Sequence, residues 1–269
     1  MRKILLFFVL FWSTSVKAQD IEAGALVGLT IYNGDLSARL LSEEFFMSLH
    51  TAQGIFARVF NGKQLAARLD INYTKVSGSD EVTNFPGRGL SFESVIVESN
   101  VVGEFYFVKP NYFGDSEPIN GYLFAGVTVL HFNPKTEYMG DLIPLQPLGT
   151  EGQGLEGYKD YYSRINIAIP FGAGVRFQLT DRVAFGLEFS ARRMFTDYLD
   201  DVSGTIIQYE DLYDGKGPMV AELSLPGIEP SEDLKFRYFR GSKRTDWYYL
   251  FGARIAYRLN EKKFRKFGF

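Results

Sequence analysis

Two histidines and three aspartates are the residues whose types and spacing would suit catalysis or metal binding. His50 and His131 are the only histidines among 269 residues, so nucleophile–base pairs of the kind used in acyl transfer are scarce. Asp197, Asp200 and Asp201 are close enough in sequence to bind a calcium ion with loop carbonyls, although acidic residues in a solvated loop need no metal. We predict no catalytic residue, no metal and no cofactor.

A glycine motif at residues 152–157 has the form G-x-G-x-x-G, which binds dinucleotide phosphates when it joins a strand to a helix. No predicted strand precedes this motif, and no helical pattern follows it. The sequence therefore predicts a flexible loop here. It contains neither a phosphate-binding P-loop nor an H-E-x-x-H pair.

A larger set of charged residues recurs at alternate positions of long apolar segments. This spacing places them on one face of β-strands, opposite the apolar face. Inside a narrow barrel such charges must pair, because an unpaired buried charge is strongly destabilising, and arginine suits this since its planar fork binds a carboxylate at two points. The predicted inward-facing charges are Glu22, Arg58, Arg68, Asp70, Glu98, Glu104, Arg176, Glu188, Arg192, Arg254 and Arg258.

Eight predicted strands position these charges. The clearest runs from Arg164 to Leu179, where apolar residues alternate with polar, small or proline residues without a break. A strand that crosses a bilayer needs roughly 9–11 residues when tilted. The predicted strands span residues 20–32, 47–60, 64–76, 92–108, 121–132, 164–179, 183–195 and 246–259.

The connections between these strands alternate in length. Those at 61–63, 109–120 and 180–182 are short or moderate, whereas 33–46, 77–91, 133–162 and 196–245 are long. Short periplasmic turns, long outer loops and an even number of strands are typical of outer-membrane barrels. The predicted fold is all-β: an eight-stranded antiparallel up-and-down transmembrane β-barrel with long extracellular loops, in the cell outer membrane.

Aromatic residues near both ends of the apolar face support this fold over a soluble lipocalin or β-sandwich, which would also alternate. Aromatic rings favour the headgroup level of a bilayer. The outer group is Tyr73, Phe195, Trp247 and Tyr249, and the inner group is Phe105, Phe107, Phe177 and Tyr257.

The N-terminus has the layout of a secretory signal peptide, with a basic start, an apolar run from Ile4 to Trp12 and a small-x-small site ending at Ala18. We therefore predict a signal peptide at 1–18 and a barrel at 19–259. Removal of Arg2, Lys3 and Lys17 reduces 29 basic residues to 26 against 32 acidic ones, a charge of −6, which does not suggest a nucleic-acid partner. No cysteine is present, so the exported chain would fold without disulfides.

Residues 260–269 are predicted to form a basic periplasmic tail, unless the last strand continues to Phe269. The tail and the turn at 109–120 lie at the predicted periplasmic end. Their charged residues are candidate contacts with a periplasmic partner: Lys109, Asp115, Glu117, Lys262, Lys263, Arg265 and Lys266.

Five sequence runs resemble an outer-membrane barrel family that includes PorG of the type IX secretion system. They are L-Q-P-L-G-T-E-G at 145–152, T-D-Y-L-D-D-V-S-G at 196–204, R-G-S-K-R-T-D-W-Y at 240–248, Y-N-G-D-L at 32–36 and P-F-G-A-G-V at 170–175. The resemblance implies an eight-stranded barrel associated with a periplasmic ring of PorK-like and PorN-like subunits. It implies no catalytic residues.

Three functional hypotheses follow. The first is a non-enzymatic barrel that serves as an accessory or anchoring component of type IX protein secretion, with outer-membrane lipid and periplasmic secretion-ring proteins as partners. The second is a lipid-modifying enzyme at the barrel rim that uses His50 or His131. The third is a small structural, adhesive or pore-forming barrel with no role in secretion.

Overall fold

The chain closes into an eight-stranded antiparallel β-barrel. A computed structural model describes residues 20–38, 42–61, 64–80, 88–108, 119–226 and 234–259. Each barrel strand pairs with its neighbours in chain order, and the last pairs with the first, as predicted. The barrel strands are β1 (Asp20–Asn33), β2 (His50–Phe60), β3 (Leu65–Ser79), β4 (Ser91–Tyr106), β5 (Ile119–Tyr138), β7 (Ile165–Gln178), β8 (Val183–Met194) and β11 (Trp247–Arg258).

The barrel has an apolar outside and a polar inside. On β7 and β8, Ile167 is 50% exposed and Leu187 is 37% exposed, whereas Glu188 is 1% exposed. Successive side chains of a strand point to opposite faces, so the alternation in the sequence becomes the contrast between surface and lumen. An apolar band around a closed barrel is the surface that hydrocarbon requires.

The second strand begins later than predicted. Residues 47–49 were expected in the strand, but Glu43–Met47 forms a short helix, α1, and β2 begins at His50. The Ser42 hydroxyl caps α1 by accepting a hydrogen bond from the Phe45 amide at 3.2 Å. Serine is a residue type typical of helix N-caps, but the predicted strand rests only on the alternating pattern, which takes no account of such caps.

The fifth strand is longer than predicted. It continues past Phe132 to Tyr138 and forms a hairpin with β6 (Asp141–Pro144) beyond the barrel rim. Met139 and Gly140, with φ of 53° and 90°, form its two-residue turn. This turn geometry matches the right-handed twist of paired strands.

The two longest outer connections fold over the barrel mouth. The last one contains β9 (Ile206–Gln208), α2 (Tyr209–Lys216), α3 (Pro218–Ser224) and β10 (Arg237–Phe239), and β9 pairs with β10. We call the described residues of 145–163 and 196–246 the outer cap. Within the part of the chain that the structure describes, no helix is long and apolar enough to cross a membrane. The predicted signal peptide and basic tail lie outside that part.

Candidate functional site

The inner half of the lumen contains a continuous network of ion pairs. Glu188 accepts hydrogen bonds from Arg68 at 2.7 and 3.2 Å, from Arg254 at 3.0 Å and from the Tyr122 hydroxyl at 2.8 Å. Asp70 also bridges the two arginines, with its carboxylate 2.9 Å from Arg68 Nε and 2.7 Å from Arg254 Nη1. Arg68 and Asp70 lie on β3, and Glu188 lies on β8, four strands away around the eight-stranded barrel. The network therefore joins opposite walls of the barrel.

Two further carboxylates extend this network toward the inner end. Glu104 contacts both Arg68 and Arg58, and Arg58 Nε lies 2.7 Å from Glu104 Oε2. Glu22 contacts Arg58 at 3.1 Å and receives both Nη atoms of Arg176, at 2.8 and 2.6 Å. Such bidentate pairs are the strongest that arginine forms with a carboxylate.

Two further ion pairs lie toward the two ends of the lumen. Arg192 binds Glu98 with two nitrogens, at 3.1 and 2.8 Å, and the Tyr248 hydroxyl donates to the same carboxylate. Near the inner end, Arg258 pairs with Asp20. The alternating pattern places Asp20 on the polar face of the first strand, and the structure adds it to the inward-facing charges, because it is buried beside Arg258.

The lumen is neutral and filled. The structure brings all eleven predicted inward charges together, and with Asp20 they make six arginines and six carboxylates. The cavity beside the network, lined in part by Arg58, Tyr122 and Arg176, measures about 10 Å³. That is room for about one water molecule. Toward the mouth, an apolar cluster that includes Phe92, Phe132 and Met194 continues the packing.

In the outer cap, the runs at 145–152 and 196–204, which carry the family resemblance, pack against each other. The Thr150 hydroxyl donates to Asp201, and Arg240 Nη1 donates to Thr150 Oγ1 at 2.6 Å and to Asp201 Oδ2 at 3.1 Å. Beside them, both oxygens of Glu151 accept hydrogen bonds from Ser203, each at 2.6 Å. These polar contacts are buried and fix the two connections to each other.

Of the three aspartates considered for calcium, Asp200 and Asp201 have protein partners. Asp200 accepts from the Val202 amide at 3.0 Å and from the Tyr32 hydroxyl at 2.5 Å, and Tyr32 also lies 3.0 Å from Asp246. Among the described residues, no three His, Asp or Glu side chains are arranged to hold a metal ion. Burial raises the pKa of both Asp200 and Asp246 well above the usual range.

Asp197 is the third of these aspartates and has a different environment. It is half-buried at the base of the cap, and its Oδ1 atom has no hydrogen-bond partner among the described residues. Burial, followed by the nearby charges of Asp35 and Glu151, raises the pKa of Asp197 to about 7. This carboxyl group therefore titrates near neutral pH.

The glycine motif forms compact turns within the cap. Gly152, Gly154 and Gly157 all have φ between 80° and 85°. A Cβ on Gly152 would lie 2.4 Å from the Tyr158 ring, so only glycine fits both this backbone and this contact. The predicted flexible loop is thus a packed segment, in which Gln153 is buried.

The two histidines lie at the outer rim. His131 faces outward from β5, opposite Ile165, on the lipid side that its parity predicts. His50 is half-buried at the start of β2, with its Nε2 atom 2.7 Å from Ser77 Oγ on β3. The candidate periplasmic contacts Lys109, Asp115, Glu117, Lys262, Lys263, Arg265 and Lys266 lie outside the described residues.

Solved structures similar to this chain include outer-membrane proteins. Neisserial surface protein A is 10% identical, with 89% of this chain and 97% of that chain covered and a TM-score of 0.42. OprG from Pseudomonas aeruginosa is 9% identical, with 91% and 98% covered and a TM-score of 0.40. Ail of Yersinia pestis, in complex with the heparin analogue sucrose octasulfate, is 10% identical, with 89% and 100% covered and a TM-score of 0.39.

The architecture gives the class of this protein, and a match to one family model gives its family. A closed barrel of eight antiparallel strands, with an apolar outer band and long loops at one end, is an outer-membrane β-barrel. No curated protein matched the chain. The model of the family described as "Domain of unknown function (DUF6089)" matches residues 1–216, and the chain belongs to that family.

Proposed function

We propose that this barrel acts by binding, as an accessory or anchoring component of type IX protein secretion that contacts a periplasmic ring of PorK-like and PorN-like subunits. The observation that carries the binding role is the filled, charge-neutral lumen, in which all six inward arginines have carboxylate partners. A barrel with such an interior acts through its surfaces, because it leaves little space for a transported molecule.

The secretion role is supported by the resemblance to the PorG family. The runs at 145–152 and 196–204 build the interior of the outer cap, so the resemblance rests on residues that shape this end of the molecule. The periplasmic contacts in this proposal come from the 109–120 turn and the 260–269 tail. The tail carries Lys262, Lys263, Arg265 and Lys266 against one acid, Glu261.

The test is affinity purification from membranes with a tag inserted after Gly140. This site is the tip of the β5–β6 hairpin, where the neighbouring Met139 is 86% exposed, so the insertion leaves barrel and cap contacts intact. We expect secretion-ring subunits to copurify, and a variant with the four basic tail residues changed to glutamine to recover less of them. An unrelated tagged outer-membrane barrel is the control.

Deletion of the gene provides the independent readout. We expect type IX cargo to be retained in the cell, and export to return when the full chain is supplied again. Normal cargo export in the deletion strain, together with no recovered ring subunits, would leave a structural or adhesive barrel as the function.

One contact favours a second candidate, a lipid-modifying enzyme at the outer rim. The 2.7 Å contact between His50 Nε2 and Ser77 Oγ is the geometry of a base beside a nucleophile. Glu93, which is paired with Lys75, lies opposite Ser77 in the β3–β4 register. An active site here predicts altered membrane lipids in both Ser77→Ala and His50→Ala strains, with His131→Ala as the matched rim variant. Unchanged lipid mass spectra in the Ser77→Ala and His50→Ala strains would rule this candidate out.

A further inference from the structure

Two arginines on the outside of the barrel differ from every arginine in the lumen. Arg193, which faces outward on β8, and Arg164, which is exposed just before β7, contact no carboxylate in the described chain. Arg193 lies over the Trp247 ring, 5.9 Å from its centre, and Arg164 Nη1 donates to Asn133 Oδ1 at 3.3 Å. These two cations therefore remain available to a negatively charged partner.

The register places Arg193 at the edge of the bilayer. It pairs with Trp247 on β11 and with Ile169 on β7, and the Trp247 ring meets Phe171 edge-on at 6.0 Å. Trp247 belongs to the outer aromatic group, which is expected at the headgroup level. An arginine on the lipid face costs about 2–4 kcal/mol at the midplane and about 0–1 kcal/mol near an interface, so Arg193 is well placed only among headgroups.

His131 completes a polar surface around the outer end of β7. It faces outward from β5 on one side of β7, while Arg193 faces outward from β8 on the other side. Strands lie about 4.8 Å apart, so β5 and β8 are separated by about 10 Å across β7. His131 lies opposite Ile165 and Arg193 lies opposite Ile169, so the two residues are also offset by about 13 Å along β7. Arg164 lies between them at the top of β7. We call His131, Arg164 and Arg193 the rim patch.

We propose that the rim patch binds the phosphate groups of a phosphorylated lipid in the outer leaflet. The charges are complementary, since guanidinium groups bind phosphate oxygens through paired, charge-assisted hydrogen bonds. The position selects a lipid over a soluble anion, because the patch borders the apolar band and Trp247 offers a ring to the same molecule. This inference does not depend on the secretion role.

The test compares lipids that differ only in phosphate. The full chain is purified in detergent and placed in phosphatidylcholine nanodiscs that contain either diphosphoryl lipid A or the same lipid without phosphates. We expect diphosphoryl lipid A to raise the thermal unfolding midpoint and to be retained in native mass spectra at least tenfold more than the dephosphorylated lipid. A tenfold difference corresponds to about 1.4 kcal/mol.

Variants then locate the site. Arg164→Gln with Arg193→Gln should abolish the preference for the phosphorylated lipid, while Arg237→Gln, an exposed arginine on β10 in the cap, should keep it. If the double variant does not fold, the comparison of the two lipids on the unaltered chain still decides the matter. Equal retention of both lipids would overturn the proposal, as would full stabilisation by inorganic phosphate without lipid.

Discussion

Removing the carboxylate of Glu188 is the sharpest test of the lumen network. Glu188→Leu removes one of the two acceptors that Arg68 and Arg254 share, the other being Asp70, and it gives the lumen a charge of +1 in place of neutrality. Breaking a buried ion pair from one side costs about 3–5 kcal/mol, because a desolvated charge remains incompletely paired. We expect a loss of that size in the free energy of unfolding.

A second substitution should recover much of this loss. Glu188→Leu combined with Arg254→Met restores neutrality, and Asp70 keeps its 2.9 Å contact with Arg68. Replacement of a whole buried pair by apolar residues of similar volume is often neutral or stabilising. The double variant should therefore be more stable than Glu188→Leu alone, which gives a large coupling energy in a double-mutant cycle.

The assay is urea unfolding from lipid vesicles, followed by the fluorescence of Trp247 and by the shift of the folded barrel on gels. Glu156→Leu, an exposed acid in the outer cap, is the matched control and should stay within about 0.5 kcal/mol of the unaltered chain. A Glu188→Leu loss below about 1 kcal/mol, or a double variant whose loss equals the sum of the single losses, would refute a network that depends on charge pairing.

Three further predictions concern the outer cap. The pKa of Asp197 is raised from its ordinary value of 3.8, which applies to the unfolded chain, to about 7 in the folded chain. Between these two values the folded state binds more protons than the unfolded state, so cap stability should fall as pH rises from about 4 through 7. Hydrogen exchange of cap amides should show this, and Asp197→Asn should weaken the dependence, with the rest coming from Asp200 and Asp246; a flat wild-type profile would contradict it. Tyr32→Phe removes the hydroxyl that contacts both Asp200 and Asp246, so cap protection should drop more at pH 8, where more of this carboxyl pair is ionised, than at pH 5. Equal drops would argue against a role of this hydroxyl in stabilising the ionised carboxylates. Arg240→Met should make the cap sensitive to protease while the barrel still resists, and unchanged cleavage would show that the Arg240 contacts do not hold the cap.

The barrel itself was predictable because its signal is local. A residue's parity along a strand decides whether it faces lipid or lumen, and this reading is correct for residues such as Ile167, Leu187 and Glu188. The strand number and the order of pairing also followed, since short and long connections alternate along the chain. The same rule overextended the second strand, because parity takes no account of the Ser42 helix cap.

The outer cap was not predictable in the same way. Its runs have no repeating apolar period, and the glycines at 152–157 appeared flexible until Tyr158 and neighbouring aromatic rings were placed against them. The contact of Thr150 with Asp201 joins segments 51 residues apart in the chain. Nothing in either run alone identifies the other as its partner.

The alternation along each strand is sufficient to predict that apolar side chains cover this barrel and that arginines and carboxylates fill it. The folded barrel is needed to show which arginine meets which carboxylate, that Asp20 joins them, and that Arg164 and Arg193 are exposed without one. The direction of a side chain depends only on its own strand. The partner of a charge, by contrast, depends on the register of all eight strands and on the width across which they close.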